Sequence, residues 1–489
     1  MAFTHLEASQ PARPELPPLR FSMVTVTPLP HRHDDGGLVI VNAAVVTVDD
    51  QATIHDPGWV HIVGDTIVGV GSGQAPDVLV AGAERVIDAE GSALMPGMTN
   101  AHTHLFQTFF RGLADDKPLL EWLRKCIWPG AVHLDAQAGY LAGLCGMVEN
   151  LRTGATSVLD HHYVHVDDAI DDAVLQSASD SGVRYMLARG WADRNYPPEM
   201  QETAEQVLDH AAGLRDRWHG HDHDRIRIEV APLLPWGCTD EAMKVTVAQT
   251  REWGAGTHIH IAESEEEVRL NVEERGTRHV EWLDELGLLG PDMQFAHSVW
   301  LDDNELDLIA ESGASVVSCP VSNMFLASGV PRILDMRSRN ITVALASDGP
   351  GSNNRQDMFE VLKSTVLLQK VHHLDAMALL PGDSIEMACR GGAKAFGTQD
   401  LTGVIAEGRK ADVVLVDLNS IFIAPVHSVE SALVFNASPA DVSHVVVDGR
   451  VLIDDRTVTF VDEAELIAES RVAAARVFKA AGVQSRLTR

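Results

Sequence analysis

The stretch Ala93-Leu-Met-Pro-Gly-Met-Thr-Asn-Ala-His-Thr-His104 decides how the rest of the chain is read. It is a strand-like apolar run ending in two histidines two positions apart. Side chains at i and i+2 of a strand share one face, so His102 and His104 present two imidazoles in one direction. Neutral imidazole ligates zinc and other borderline divalent ions. The pair is half a metal site, and the other half must come from the ends of other strands.

Downstream, strand-like and helix-like segments alternate. Candidate strands are 94–100, 156–160, 184–189, 226–231, 256–262, 294–297, 315–319 and 342–348, with helical patterns such as 137–151 and 166–181 between most of them. About eight β/α units over roughly 300 residues predict a (β/α)8 barrel rather than a doubly wound sheet. Outside this region both chain ends read as short β-segments: 38–49, 59–63 and 66–70 at one end, 411–417, 442–448 and 450–454 at the other. The fold class expected is α/β, a distorted (β/α)8 TIM barrel with a small β-sandwich domain built from both chain ends. The divisions expected are a flexible N-terminal arm (1–37), the first part of the β-domain (38–92), the barrel (93–400), the second part of the β-domain (401–460), and a C-terminal helix and tail (461–489).

Composition narrows the partners. With 70 acidic and 38 basic residues the formal net charge is −32, which repels nucleic acid and anionic membranes. No apolar run reaches the roughly 18 residues of a membrane helix, and residues 1–37 carry no apolar signal core. A cytoplasmic location is expected. The five cysteines are scattered, never paired as Cys-x-x-Cys, which argues against a disulfide framework or a four-cysteine zinc site.

Catalytic groups of a barrel gather at the C-terminal ends of its strands. The first strand offers His102 and His104, the fifth His260 and Glu263, the sixth His297 and the eighth Asp348. Three imidazoles and a carboxylate (His102, His104, His260, Asp348) suit one zinc or iron(II) ion with room left for water. The ion would lower the pKa of that water toward ~7. Asp348 can ligate and also take the water proton. His297 can orient the hydroxide or join the metal shell, and Glu263 can shuttle the proton to a ring nitrogen and then to the leaving group. His258, one pleat deeper than His260, reads as a packing histidine. Gln107, about one turn past the metal pair, can bond a ring edge.

These residues also carry a family resemblance. Residues 96–104, His260-Ile-Ala-Glu263, Ala296-His297-Ser298-Val299-Trp300, residues 320–329 and Ser347-Asp-Gly-Pro-Gly-Ser-Asn-Asn354 resemble, in order, motifs of the amidohydrolase superfamily. The match is closest to its branch of cytosine, guanine, 8-oxoguanine and adenosyl-type deaminases and triazine hydrolases. It extends over residues 38–480 and implies hydrolytic removal of a group from a heteroaromatic carbon. The reading is a metal-dependent deaminase of an amino-substituted purine, pyrimidine or s-triazine. The alternatives are displacement of chloride or an alkylamine from a triazine-like ring, or deamination of adenosylhomocysteine or thiomethyladenosine. The intact ligand set argues against a non-catalytic assembly protein on the same scaffold. Binuclear superfamily members commonly bridge their metals with a strand-four lysine. Residues 230–237 have none, so a single metal is expected. A homodimer or homotetramer is expected from the resemblance alone.

Substrate contacts are drawn from the same likeness. Residues 112–123 with Trp128, including Trp122, resemble the loop that covers the site in nucleoside deaminases. Asp160-His161-His162-Tyr163 looks like the strand-two end of 8-oxoguanine-type enzymes, with His161 and Tyr163 toward substrate. Arg189 resembles an arginine used on the carboxylate of adenosylhomocysteine. Its expected partner arginine is not evident, so Arg189 is read as reaching into the mouth to fork onto a compact polar ring. Asn323 and Asn353, within the matching motifs, complete the expected substrate set.

Overall fold

The computed structural model describes residues 21–113 and 115–483. Two four-stranded parallel sheets make the barrel. One carries β6 (Met98–Thr103), β7 (Ala155–His162), β8 (Arg184–Trp191) and β9 (Ile226–Pro232) in that order. The other carries β10 (Thr257–Ile261), β11 (Met293–His297), β12 (Ser315–Ser318) and β13 (Thr342–Leu345). Backbone bonds close the ring at the mouth: Asp348 N–H donates to His102 O at 3.1 Å, and His260 N–H to Leu233 O at 3.1 Å. Joining through single bonds rather than full ladders is what distorts the barrel. Inside, small side chains (Ala101, Val317, Ala344, Ala346) leave room for the site, and Phe396 packs against Leu159, Met186, Ala188 and Ala231 lower down.

The expected first barrel strand, 94–100, is two strands. Residues Ser92–Pro96 form β5, which pairs with β1 (Leu38–Val46) and β14 (Val413–Asp417), and only β6 enters the barrel. Pro96 has no N–H to continue a ladder. Gly97 then passes so close to Thr156 that a Cβ would lie 2.1 Å from its hydroxyl.

The β-domain joins both chain ends. Strand β2 (Ile54–Val63), β3 (Thr66–Ser72) and β4 (Arg85–Asp88) come from the first part, and β15 (Val442–Val447), β16 (Arg450–Asp454) and β17 (Thr457–Val458) from the second. They form one nine-stranded sheet rather than two. Residues of both halves, such as Ile40, Val60, Val413 and Val446, share one apolar core.

The arm does not behave as a flexible segment over its described part. Val24 is buried, Val26 bridges Val461, and Thr27 N–H donates to Phe460 O at 2.9 Å. Apolar Val24, Val26 and Leu29 gain more from packing than from solvent. Residues 1–20 and 484–489, the rest of the expected arm and tail, lie outside the described residues. The C-terminal helix spans Glu463–Ala480 and packs against the barrel helix Ala136–Arg152, with Arg152 paired to Glu463.

Candidate active site

Strand parity brings the imidazoles together. His102 and His104 project from the end of β6, His260 from β10 and His297 from β11, and Asp348 follows β13. His297 and Asp348 have φ of 67° and 62°. This left-handed backbone is uncommon for such residues and concentrates at functional sites.

Each imidazole is held by its Nδ1, which leaves Nε2 for the centre. His104 Nδ1 donates to His161 O at 2.6 Å and His260 Nδ1 to Leu233 O at 2.7 Å. His297 Nδ1 donates to Asn323 Oδ1 at 3.0 Å, and His102 Nδ1 lies 2.8 Å from His258 Nε2. The free nitrogens converge. His102 Nε2 and His104 Nε2 are each 3.4 Å from Asp348 Oδ1, and His260 Nε2 is 3.3 Å from His104 Nε2. His102 Nε2 is fully buried with no hydrogen-bond partner. Donors about 2.1 Å from one ion at tetrahedral corners stand roughly 3.4 Å apart. His102, His104 and Asp348 therefore fit a divalent transition metal by spacing, donor chemistry and the orphaned nitrogen, with His260 Nε2 beside that of His104.

The electrostatics agree. Burial, then the charge of His102, holds His104 down to about 3, so it stays neutral as a ligand must. Burial pushes Asp348 up, but the close approach of His102 and the other surrounding imidazoles outweighs it and keeps Asp348 well below the usual carboxylate range. Its Oδ2 accepts from Ser322 Oγ at 2.6 Å and Ser352 Oγ at 2.8 Å. Glu263 is shifted the other way. Burial, then the carboxyls of Glu267 and Asp348, raise it well above the usual range. Its Oε1 accepts from Ser328 Oγ at 3.2 Å and its Oε2 lies 3.5 Å from His297 Nε2.

Over this centre lies a cavity of about 30 Å³, lined by Leu119, Trp122, Leu123, Tyr163, Tyr196, Leu233, Leu234 and Leu326 above His104, His260, Glu263, Glu267, His297 and Asp348. Its cover is the helical run 119–131, a π turn at Leu123–Ile127 included. Trp122 is pinned by its indole N–H to Gly351 O at 3.0 Å.

The structure sorts the expected substrate contacts. Trp122 and Tyr163 line the cavity. Gln107 lies behind it, taking Gly351 N–H on Oε1 and donating to Tyr163 Oη at 3.1 Å. Trp128 is half-buried against the Tyr196 ring, 5.1 Å between centroids. His161 sits inside the barrel with its ring 4.7 Å from that of His260. Asn323 bonds His297 with its oxygen, and its Nδ2 is unpartnered.

Three expectations need correction. Arg189 does not reach the mouth: it is fully buried on the outer face of β8, bonded to Glu202 at 2.6 and 3.1 Å, to His210 and, at 3.6 Å, to Asp171. It lies in register with His162, so both face the helix layer. Asn353 is spent on its own loop, donating to Ser347 O and accepting Arg355 N–H at 2.8 Å. His258 is no mere packing group, since it holds His102. The sequence reading missed Ser322, Ser328 and Ser352 altogether, together with Tyr196 and the Leu233–Leu234 wall. The motif order marks where the serines lie, but nothing in spacing tells which hydroxyl meets a carboxylate.

Comparison with known proteins fits this geometry. The amidohydrolase family model matches residues 93–452. A 5'-deoxyadenosine deaminase of Methanosarcina mazei is 36% identical over 437 residues, covering 89% of this chain and 97% of that protein. A 5-methylthioadenosine/S-adenosylhomocysteine deaminase of Pelotomaculum thermopropionicum is 32% identical over 441 residues, covering 90% and 98%. Among solved structures, an adenosine deaminase of Xanthomonas campestris with bound zinc superposes with a TM-score of 0.84 at 29% identity, covering 92% of this chain and all of that one.

Proposed function

The chain belongs to the amidohydrolase family and is a hydrolase of C–N bonds, and we propose that it deaminates adenosine derivatives whose 5' substituent is small and uncharged. One observation carries the substrate class. The cavity wall above the centre is built from leucines and aromatic rings, and among the described residues no lysine or arginine lines it. Arg189 is committed to Glu202 and Asp171, and Arg194 to Glu274. An amino-acid carboxylate on the 5' side would lose its hydration there and gain no partner. A 5'-deoxy or methylthio group would instead bury apolar surface. The preference for compact bases that Arg189 in the mouth would favour loses its basis.

His102, His104, His260 and Asp348 would hold one divalent ion, zinc or iron(II). Bound there, it supplies an acidified water and Lewis-acid polarisation. The residues do the rest. Glu263, its pKa raised by burial and its acidic neighbours, serves as the acid that presents a proton at Oε2 to a ring nitrogen. Asp348, kept ionised, takes a proton at Oδ1 and returns it to the departing amine. His297, locked by Asn323, keeps Nε2 turned toward the same point. Trp122 and the leucine wall exclude water. The enclosed volume is far below the roughly 300–1,000 Å³ of small-molecule sites, so the 119–131 cover must move for substrate to enter. A homo-oligomer in the cytoplasm remains part of this reading. Among the described residues no helix is long and apolar enough to cross a membrane.

The test is ammonia release with 5'-deoxyadenosine, 5-methylthioadenosine, adenosine, S-adenosylhomocysteine, adenine and guanine. The expected result is kcat/KM for the first two at least ~10-fold above S-adenosylhomocysteine, about 1.4 kcal/mol of transition-state binding. Equal or faster turnover of S-adenosylhomocysteine, or of a free base, contradicts the reading.

A further inference from the structure

Beneath the metal-binding histidines, the barrel interior holds a row of polar side chains that the reaction does not touch. His258 on β10 and Gln294 on β11 are register partners, and Glu229 comes from β9. His258, Gln294 and Glu229 are all buried. His258 Nε2 lies 2.8 Å from His102 Nδ1, and His258 Nδ1 lies 3.0 Å from Gln294 Oε1. The Gln294 amide nitrogen and the Glu229 carboxyl both lie against Gly256. The row is closely fitted. At Gly256 an added Cβ would stand 2.6 Å from Gln294 Nε2 and 2.8 Å from Glu229 Oε2. Its lower end meets a pocket of about 650 Å³ whose wall includes Glu229, Gln294, Arg227 and Arg251.

The direction of each bond follows from the next. Gln294 sets its Nε2 beside Gly256 and turns its Oε1 toward His258 Nδ1, 3.0 Å away. That oxygen needs a donor, which places the His258 proton on Nδ1 and leaves a lone pair on Nε2. The lone pair needs a donor in turn, which places the His102 proton on Nδ1 and leaves Nε2 bare. With the amide reversed, every step reverses, and the His102 proton would sit on the atom aimed at the ion. The other three imidazoles take their tautomer from a single fixed oxygen: His161 O, Leu233 O or Asn323 Oδ1. His102 alone takes it through another ring.

We propose that Gln294 and His258 form a directional hydrogen-bond chain that fixes the tautomer of His102, making both positioning residues for metal affinity. The inference rests on reading the barrel mouth as a metal centre. Partners behind a metal-bound histidine commonly contribute ~10–100-fold in affinity.

The test is the zinc dissociation constant of the full chain, measured by competition with a chelator of known affinity after metal removal. His258→Phe and Gln294→Leu should weaken zinc ~10–100-fold. The thermal midpoint of each metal-free variant separates this from loss of packing. If His258→Phe does not fold, His258→Gln, which restores an acceptor, should bind more tightly than His258→Leu. Variants that fold and bind zinc as the wild type does overturn the chain and leave the metal reading standing. A wild-type protein that binds no zinc overturns both.

Discussion

Two clusters of histidine and carboxylate sit at neighbouring strand ends, and they differ in kind. At the mouth, His102, His104 and Asp348 converge, with His260 beside His104, and leave His102 Nε2 unpartnered. Behind β7 and β8, His162, His165 and Asp171 also come within ligand distance of one another. There, both ring nitrogens of His165 are taken, by Asp171 at 3.0 Å and Gly190 O at 2.8 Å, and Arg189 stands 3.6 Å from the same carboxylate. A guanidinium there supplies the positive charge that an ion would otherwise bring. The difference lies in strand parity. His161 faces into the barrel and His162, one residue on, faces the helices. Similar residue types thus gather without a cation on one face and around a guanidinium on the other.

The largest expected effect tests the cluster at the mouth. Glu263→Gln should lower kcat ~100-fold or more, the usual scale for a general acid–base group, while metal content stays unchanged. Undiminished turnover would remove Glu263 from the chemistry. Next comes the cluster around the guanidinium. Arg189→Met leaves the buried Asp171 and the half-buried Glu202 without their cation, and breaking buried pairs costs about 3–5 kcal/mol. Denaturant unfolding should show that loss, while the relative kcat/KM values of the substrates hold within ~2-fold. A selective loss of one substrate would return Arg189 to the mouth.

Trp122→Ala should lower kcat/KM for 5'-deoxyadenosine ~10-fold, as expected for losing one buried aromatic wall, with zinc retained. An unchanged value would mean that the cover contributes no binding surface. The smallest effect is on acid stability. Burial outweighs the attraction of Asp171 and holds His162 at about 4, below the ordinary 6.5. Between these values the unfolded chain binds more protons, so stability rises with pH and falls as pH drops from about 6.5 toward 4. This contribution is of the order of 1–3 kcal/mol, and His162→Phe should flatten the profile over that window in chemical denaturation.

The gathering of His102, His104, His260 and Asp348 at one rim was legible because it depends on local rules. A two-residue spacing puts His102 and His104 on one face, and barrel strands deliver their ends to one rim. Trp122 was legible through the likeness of its loop. Arg189 was misread because the resemblance gave a residue type at a strand end, while its side of the sheet and its partners Glu202 and His210 are set by tertiary packing. Asn353 was misread for a related reason, since loop backbone groups compete for its amide. His258 had the correct parity, but its value lies in which nitrogen faces His102, and no sequence pattern encodes that. The split at Pro96-Gly97 was visible in composition, yet the apolar run through it reads as one strand.

The claim that most needs testing is that the mouth is the metal centre and the neighbouring cluster is structural. Elemental analysis of metal-replete protein, dialysed free of loose ions, decides it for the wild type and for a His102→Asn/His104→Asn double variant. The account predicts about one transition-metal ion per chain in the wild type and near zero in the variant. Two ions per chain, or one ion that survives the double substitution, would contradict it.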